Sequence, residues 1–137
     1  MKGQNDYAFC AGLDVPYEEA LREIEVALKS EGFGVLTSVD MQATLKEKLG
    51  AQFRKYSILG VCNPPLAQRA LSQNLDAGLV LPCTIVVYED GDGARISVAD
   101  PMVVIDLLHS PGLRPIAEEA QARLKRVFDR IVSTERA

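Results

Sequence analysis

Two stretches toward opposite ends of the chain space their apolar residues three and four apart, and each therefore needs a flat apolar surface to lie against. In the first, Ala20, Leu21, Ile24, Ala27 and Leu28 share one face, with Glu18, Glu19, Arg22, Glu23, Glu25 and Lys29 on the other. In the second, Leu113, Ile116, Ala117, Ala120, Leu124, Val127, Phe128 and Ile131 trace a similar stripe after a Pro111-Gly112 break. The segments between them are rich in β-formers: Phe33 to Val39, Tyr56 to Cys62, Leu79 to Tyr88 and Arg95 to Val98, with Tyr7 to Cys10 as a short strand ahead of the first helix. The expected order is strand, helix, four strands, helix. Two amphipathic helices and enough strands to cover them make an α+β domain.

Local signals set the boundaries. Asp14-Val15-Pro16 offers a cap and a proline for the first helix, Gly32 its left-handed end, and Asp40 a cap for a helix over Met41 to Leu49 that stops at Gly50. Asn63-Pro64 is an N-cap followed by proline, which starts a short helix through Leu66, Ala67, Ala70 and Leu71. Asp90-Gly91-Asp92-Gly93 joins two β-rich runs as a hairpin, and Asp100-Pro101 closes the second of them. Pro82 cannot donate to a β-ladder, so it marks an edge, a bulge or a break. The 137 residues suffice for one core, and no linker rich in Gly, Ser or Pro divides them, so residues 1–137 read as one domain.

Charge and cysteine usage narrow the partners. Fifteen basic against nineteen acidic residues give a net charge of −4, the wrong sign for a protein that gains affinity by neutralising phosphates, so nucleic acid is not the expected partner. Lys46, Lys48, Arg54 and Lys55 form a small basic cluster that reads as a solvated face. The longest apolar stretch, Ala77 to Tyr88, is too short to span a bilayer, and the polar first residues lack the apolar core of a secretory signal. Three widely spaced cysteines, Cys10, Cys62 and Cys83, are unlike a disulfide framework, and the expected compartment is the cytoplasm.

Several strings, taken in order, resemble the domain of unknown function 302 family. They are Glu31-Gly32-Phe33-Gly34-Val35-Leu36-Thr37, Thr44-Leu45-Lys46-Glu47-Lys48-Leu49-Gly50, Tyr56-Ser57-Ile58-Leu59-Gly60-Val61-Cys62-Asn63-Pro64, Leu79-Val80-Leu81-Pro82-Cys83 and Asp100-Pro101. The resemblance covers nearly the whole chain. It implies a TBP-like β-α-β4-α fold, a curved antiparallel sheet with its long helices on one face, and it implies no activity. Cys62 and Cys83 match the family's cysteines in their Gly-Val-Cys-Asn-Pro and Leu-Pro-Cys contexts, whereas Thr84 stands where the family usually has Asn.

The chemistry-bearing candidates are Cys62, Asn63, Cys83 and Asp100. Cys62 precedes a helix N-terminus, where free N–H groups and the helix dipole would lower a thiol pKa; Cys83 adjoins the Pro82 irregularity; Asp100 ends a strand. If the fold brings the cysteines together they suit a reversible disulfide, a sulfur species or half of a soft-metal site. Zinc would need Cys62, Cys83 and the single histidine, His109, and there is no C-x-x-C string; no cofactor is indicated. No phosphate-binding glycine loop is present either. Three readings stand: a binding or sensing module for a small molecule or sulfur species, a thiol-dependent enzyme of redox or sulfur-transfer type, and a homodimeric interaction protein whose cysteines are core.

Overall fold

A computed structural model of the protein describes residues 2–4 and 6–136. Six strands, β1 (Lys2–Gln4), β2 (Ala8–Leu13), β3 (Gly34–Asp40), β4 (Tyr56–Cys62), β5 (Cys83–Asp90) and β6 (Gly93–Ala99), form one antiparallel sheet in the order β1-β2-β6-β5-β4-β3. The helices are α1 (Tyr17–Ser30), α2 (Met41–Leu49), α3 (Pro64–Gln73), α4 (Pro101–Ile105) and α5 (Arg114–Arg136). Setting aside three-residue β1 and the short helices, the order is β-α-β4-α, and the fold is α+β.

The two amphipathic stripes do what their spacing demands. Ala20, Ile24, Ala27 and Leu28 of α1 and Leu124, Val127, Phe128 and Ile131 of α5 share one core with Phe9, Ala11, Leu13, Leu59, Val61, Ile85, Val87, Ile96 and Val98 of the sheet. Alternate strand residues point to one face, so both long helices lie on that face and residues such as Cys10, Ile58, Val86 and Ser97 occupy the other. At roughly 1.5–3 kcal/mol for each fully buried aliphatic side chain, this layer dominates the stability of the molecule. Its buried polar member, Ser57, is bonded to the Tyr17 hydroxyl.

Helix α1 ends in a Schellman turn. Gly32, at φ 82°, lets the Phe33 N–H reach the Leu28 carbonyl at 2.9 Å, while the Gly32 N–H reaches Lys29 at 3.1 Å. Phe33 is thereby turned into the core. The Asp40 carboxylate caps α2 through the Ala43 N–H.

Other boundaries differ from the sequence reading, each for a local reason. Asp14 caps nothing at α1, whose N-cap is Pro16 without a side-chain bond. The strand expected from Leu79 begins only at Cys83; residues Leu75–Val80 form a 3-10 turn that buries Ala77. Pro82 is thus a break rather than an edge residue. The first core strand runs to Leu13, because β2 pairs with β6 from Ala8↔Ala99 through Leu13↔Ala94. Asp100 does more than stop a strand, since it caps α4.

Candidate functional site

Four chain segments converge at the end of the sheet where β4 and β6 finish and β5 starts. The side chain of Asn63 accepts the Leu66 N–H at 3.3 Å and starts α3; its Nδ2 donates to the Glu31 carbonyl at 3.2 Å, tying α3 to the end of α1. The 3-10 turn then returns the chain to Pro82 and Cys83. Pro82 lies over Gly60, where an added Cβ would stand 2.7 Å from the proline ring and collide with the Thr37 hydroxyl, so the close approach needs a glycine. After β6, the Asp100 carboxylate accepts the Met102 N–H at 2.9 Å and the Gln121 amide at 3.0 and 3.1 Å, fixing α4 against α5.

These anchors leave a cavity of about 90 Å3 that opens to the surface, walled by the ends of β4 and β5 and by α3, α4 and α5. Cys62, Asn63 and Cys83 line it, with Val61, Leu66, Val104, Ile105 and Ile116 supplying apolar walls. Small side chains at Ala67, Ala70, Ala117 and Ala120 leave the space open. Nothing in their spacing distinguishes these alanines from ordinary helix residues, which is why the sequence did not single them out. A second, smaller core of Leu66, Ala70, Ala77, Leu113, Ile116 and Ala120 forms its floor.

Cys62 and Cys83 stand one residue out of register across the β4–β5 ladder, where Val61 faces Cys83. Their electrostatics oppose the expectation of an activated thiol. Burial pushes the Cys62 thiol up, and Cys83 is pushed up to about 11 by burial and then by the neighbouring Cys62. The helix behind Cys62 offers no compensating donors. Pro64 and Pro65 have no N–H, the Leu66 N–H is taken by Asn63, and the Ala67 N–H goes to the Asn63 carbonyl at 2.9 Å. An N-terminus with its donors removed or occupied cannot stabilise a thiolate. Both thiols are neutral at pH 7 and act as small, polarisable apolar groups.

The remaining candidates fall outside this cluster. Asp100 is buried, and both of its oxygens are occupied by structural partners. His109 closes a turn in the left-handed conformation, φ 50°, in a separate depression lined by Asp106, Ser110 and Arg114. Among the described residues no three His, Cys, Asp or Glu side chains are placed to hold a metal ion. The basic cluster is dispersed: Lys55 pairs with Glu18, and Arg54 lies over the Tyr88 ring, 5.8 Å from its centroid. Among the described residues no helix is long and apolar enough to cross a membrane.

The model of the domain of unknown function DUF302 matches residues 11–131, which include every wall of the cavity. The chain belongs to the domain of unknown function 302 family. It is also similar to the crystal structure of an uncharacterized conserved DUF302 protein from Bacillus stearothermophilus, at 34% identity and a TM-score of 0.85, over 93% of this chain and 99% of that one. No curated protein matches the chain. Within this DUF302 chain Phe33, the Asn63 cap, the Pro82–Cys83 entry to β5 and Pro101 at the start of α4 line the cavity, while Gly60 and Asp100 stand behind them as anchors.

Proposed function

We propose that this protein is a non-enzymatic binding module that takes a small apolar or sulfur-bearing molecule into the chamber beside Cys62 and Cys83. The observation that carries this reading is the wall chemistry: aliphatic side chains and two thiols held in their neutral form. A protonated thiol is a poor nucleophile but a good soft contact, which favours holding a molecule over attacking it. A general base is also lacking at the chamber, since His109 belongs to another depression. A volume of about 90 Å3 suits a ligand of a few heavy atoms, less than the roughly 150 Å3 of an engineered apolar cavity that binds benzene or xenon.

Xenon and dimethyl sulfide, which carries no thiol to consume the alkylating reagent, serve as probes, with thermal unfolding and Cys62 alkylation as readouts. Each probe is expected to raise the unfolding temperature and to slow alkylation of Cys62 in the folded protein. At ligand concentrations near 100 times the dissociation constant the stabilisation is about 2.7 kcal/mol. Ala117→Leu, which fills the chamber from α5, is expected to abolish both effects. Neither probe protecting Cys62, or Ala117→Leu leaving the protection intact, overturns the reading.

A further inference from the structure

The face of the sheet opposite α1 and α5 is built like an interior. Register aligns Val39, Ile58, Val86, Ser97 and Cys10 in one row across β3, β4, β5, β6 and β2. Tyr56, Tyr88, Arg95 and Gly12 make the adjoining row, with the two tyrosine rings stacked 5.4 Å apart. The central strands carry Ile58-Leu59 and Ile85-Val86-Val87, apolar toward both faces, a composition found in strands covered on both sides. By contrast β6 alternates, with Arg95 and Ser97 outward.

The dimensions suit a second sheet. Five strands about 4.8 Å apart, each of six to eight residues rising about 3.3 Å, span roughly 24 by 23 Å. That is about 550 Å2 per partner in flat projection, the scale of a small, reversible interface.

The rows are also self-complementary in a particular sense. The first is bulky at the Val39–Ile58 end and small at the Ser97–Cys10 end. A two-fold axis in the plane of the interface, running along β5, reverses each row onto itself. It sets Val86 on Val86, Ile58 on Ser97 and Val39 on Cys10, large against small. In the second row Phe53 packs beside Tyr56 and Arg54 lies over Tyr88 within each copy, so that end of the face forms the rim of the contact and the first row its centre. The geometry points to a homodimer in which the outer sheet faces of two copies pack about this axis. A ligand in the chamber beside Cys62 is not required for it.

Sedimentation equilibrium of the full chain tests the assignment. The wild type is expected at twice the monomer mass in the micromolar range. Val86→Glu sets like charges on each other at the axis and Ser97→Glu buries an unpaired charge against Ile58 of the other copy, and each should weaken association by at least about 100-fold. Ser97 is already polar, so its replacement leaves the monomer fold intact, as near-ultraviolet circular dichroism would verify. Ile58→Lys should weaken association as well, and the Ser97→Glu/Ile58→Lys pair should regain it, because the axis places those positions on each other. A monomeric wild type at high micromolar concentration overturns the dimer. A double variant no tighter than its single parents overturns the placement of the axis, and dissociation by Leu79→Glu but not by Ser97→Glu assigns the contact to another surface.

Discussion

At Cys83 a single side chain joins the core to the chamber, and its ionisation sets an alkaline limit on stability. In the unfolded chain the thiol titrates near 9.0, whereas burial and the neighbouring Cys62 raise it to about 11 in the folded protein. The folded state therefore holds the proton more tightly between those values, so stability is fully present below about pH 9 and declines as pH rises toward 11. Two pH units amount to roughly 3 kcal/mol at the full shift. Urea unfolding at pH 8 and pH 11 is expected to show this loss in the wild type, and Cys83→Ala should reduce the difference even though it removes some packing. An equal pH dependence in the variant would mean that the thiol carries no such linkage. Gly60 is the second decisive residue. Gly60→Ala drives a methyl group into Pro82 and Thr37, and a cost of about 1–3 kcal/mol is expected in the same assay.

Among the elements, α3 shows best how local rules cooperate and where they mislead. The Asn63-Pro64 signature correctly marks a helix start, because the asparagine caps the turn and the proline fits its first position. The inference of an acidic Cys62 from the same helix fails because Pro65 follows, removing a second donor, and the cap consumes a third. Asn63→Ala removes both the cap and the tie to the Glu31 carbonyl, and about 1–2 kcal/mol should be lost in denaturant unfolding. Retained stability would make the tie between α1 and α3 dispensable. The long helices and the hairpin were legible in the residues because periodicity and turn chemistry are local properties. The 3-10 turn at Leu75–Val80 was not: its apolar composition resembles a strand, and only the burial of Ala77 against α3 and α5 distinguishes it. Cys62 and Cys83 were visible as candidates from their contexts, but the alanines that hollow the chamber become meaningful only when α3 and α5 are brought face to face.

For the molecule as a whole, helices α1 and α5 are clasped at one end by ions as well as by the core. Glu31, just beyond α1, accepts from Arg126 of α5 at 3.0 and 3.1 Å and lies 3.8 Å from Arg123, while Glu119 of α5 meets Arg69 of α3 at 2.9 Å. Hydrogen bonding to Arg126 holds the Glu31 carboxyl below its usual range, and bonding to Arg69 and Arg123 does the same for Glu119. Glu18, bonded to Lys55, shifts in the same direction. A depressed carboxyl pKa means that the unfolded chain binds protons first as acid is added, so the stabilisation is complete above about pH 4.5 and is lost as pH falls through the lower folded values. Glu18 and Glu119 are solvent-facing and Glu31 is half-buried with its partner Arg126 exposed, so salt screens these pairs and each contributes little alone. Their sum, opposed to the loss from Cys83 above pH 9, gives the molecule a stability plateau between the carboxylate and thiol titrations. The urea midpoint is expected to be flat across that plateau and to fall on the acid side. Glu31→Gln should make the acid-side fall shallower at low salt, with a smaller difference from wild type at high salt. An acid limb unchanged by Glu31→Gln at low salt would show that the clasp between α1 and α5 does not sense pH, and that the apolar layer alone holds the two helices together.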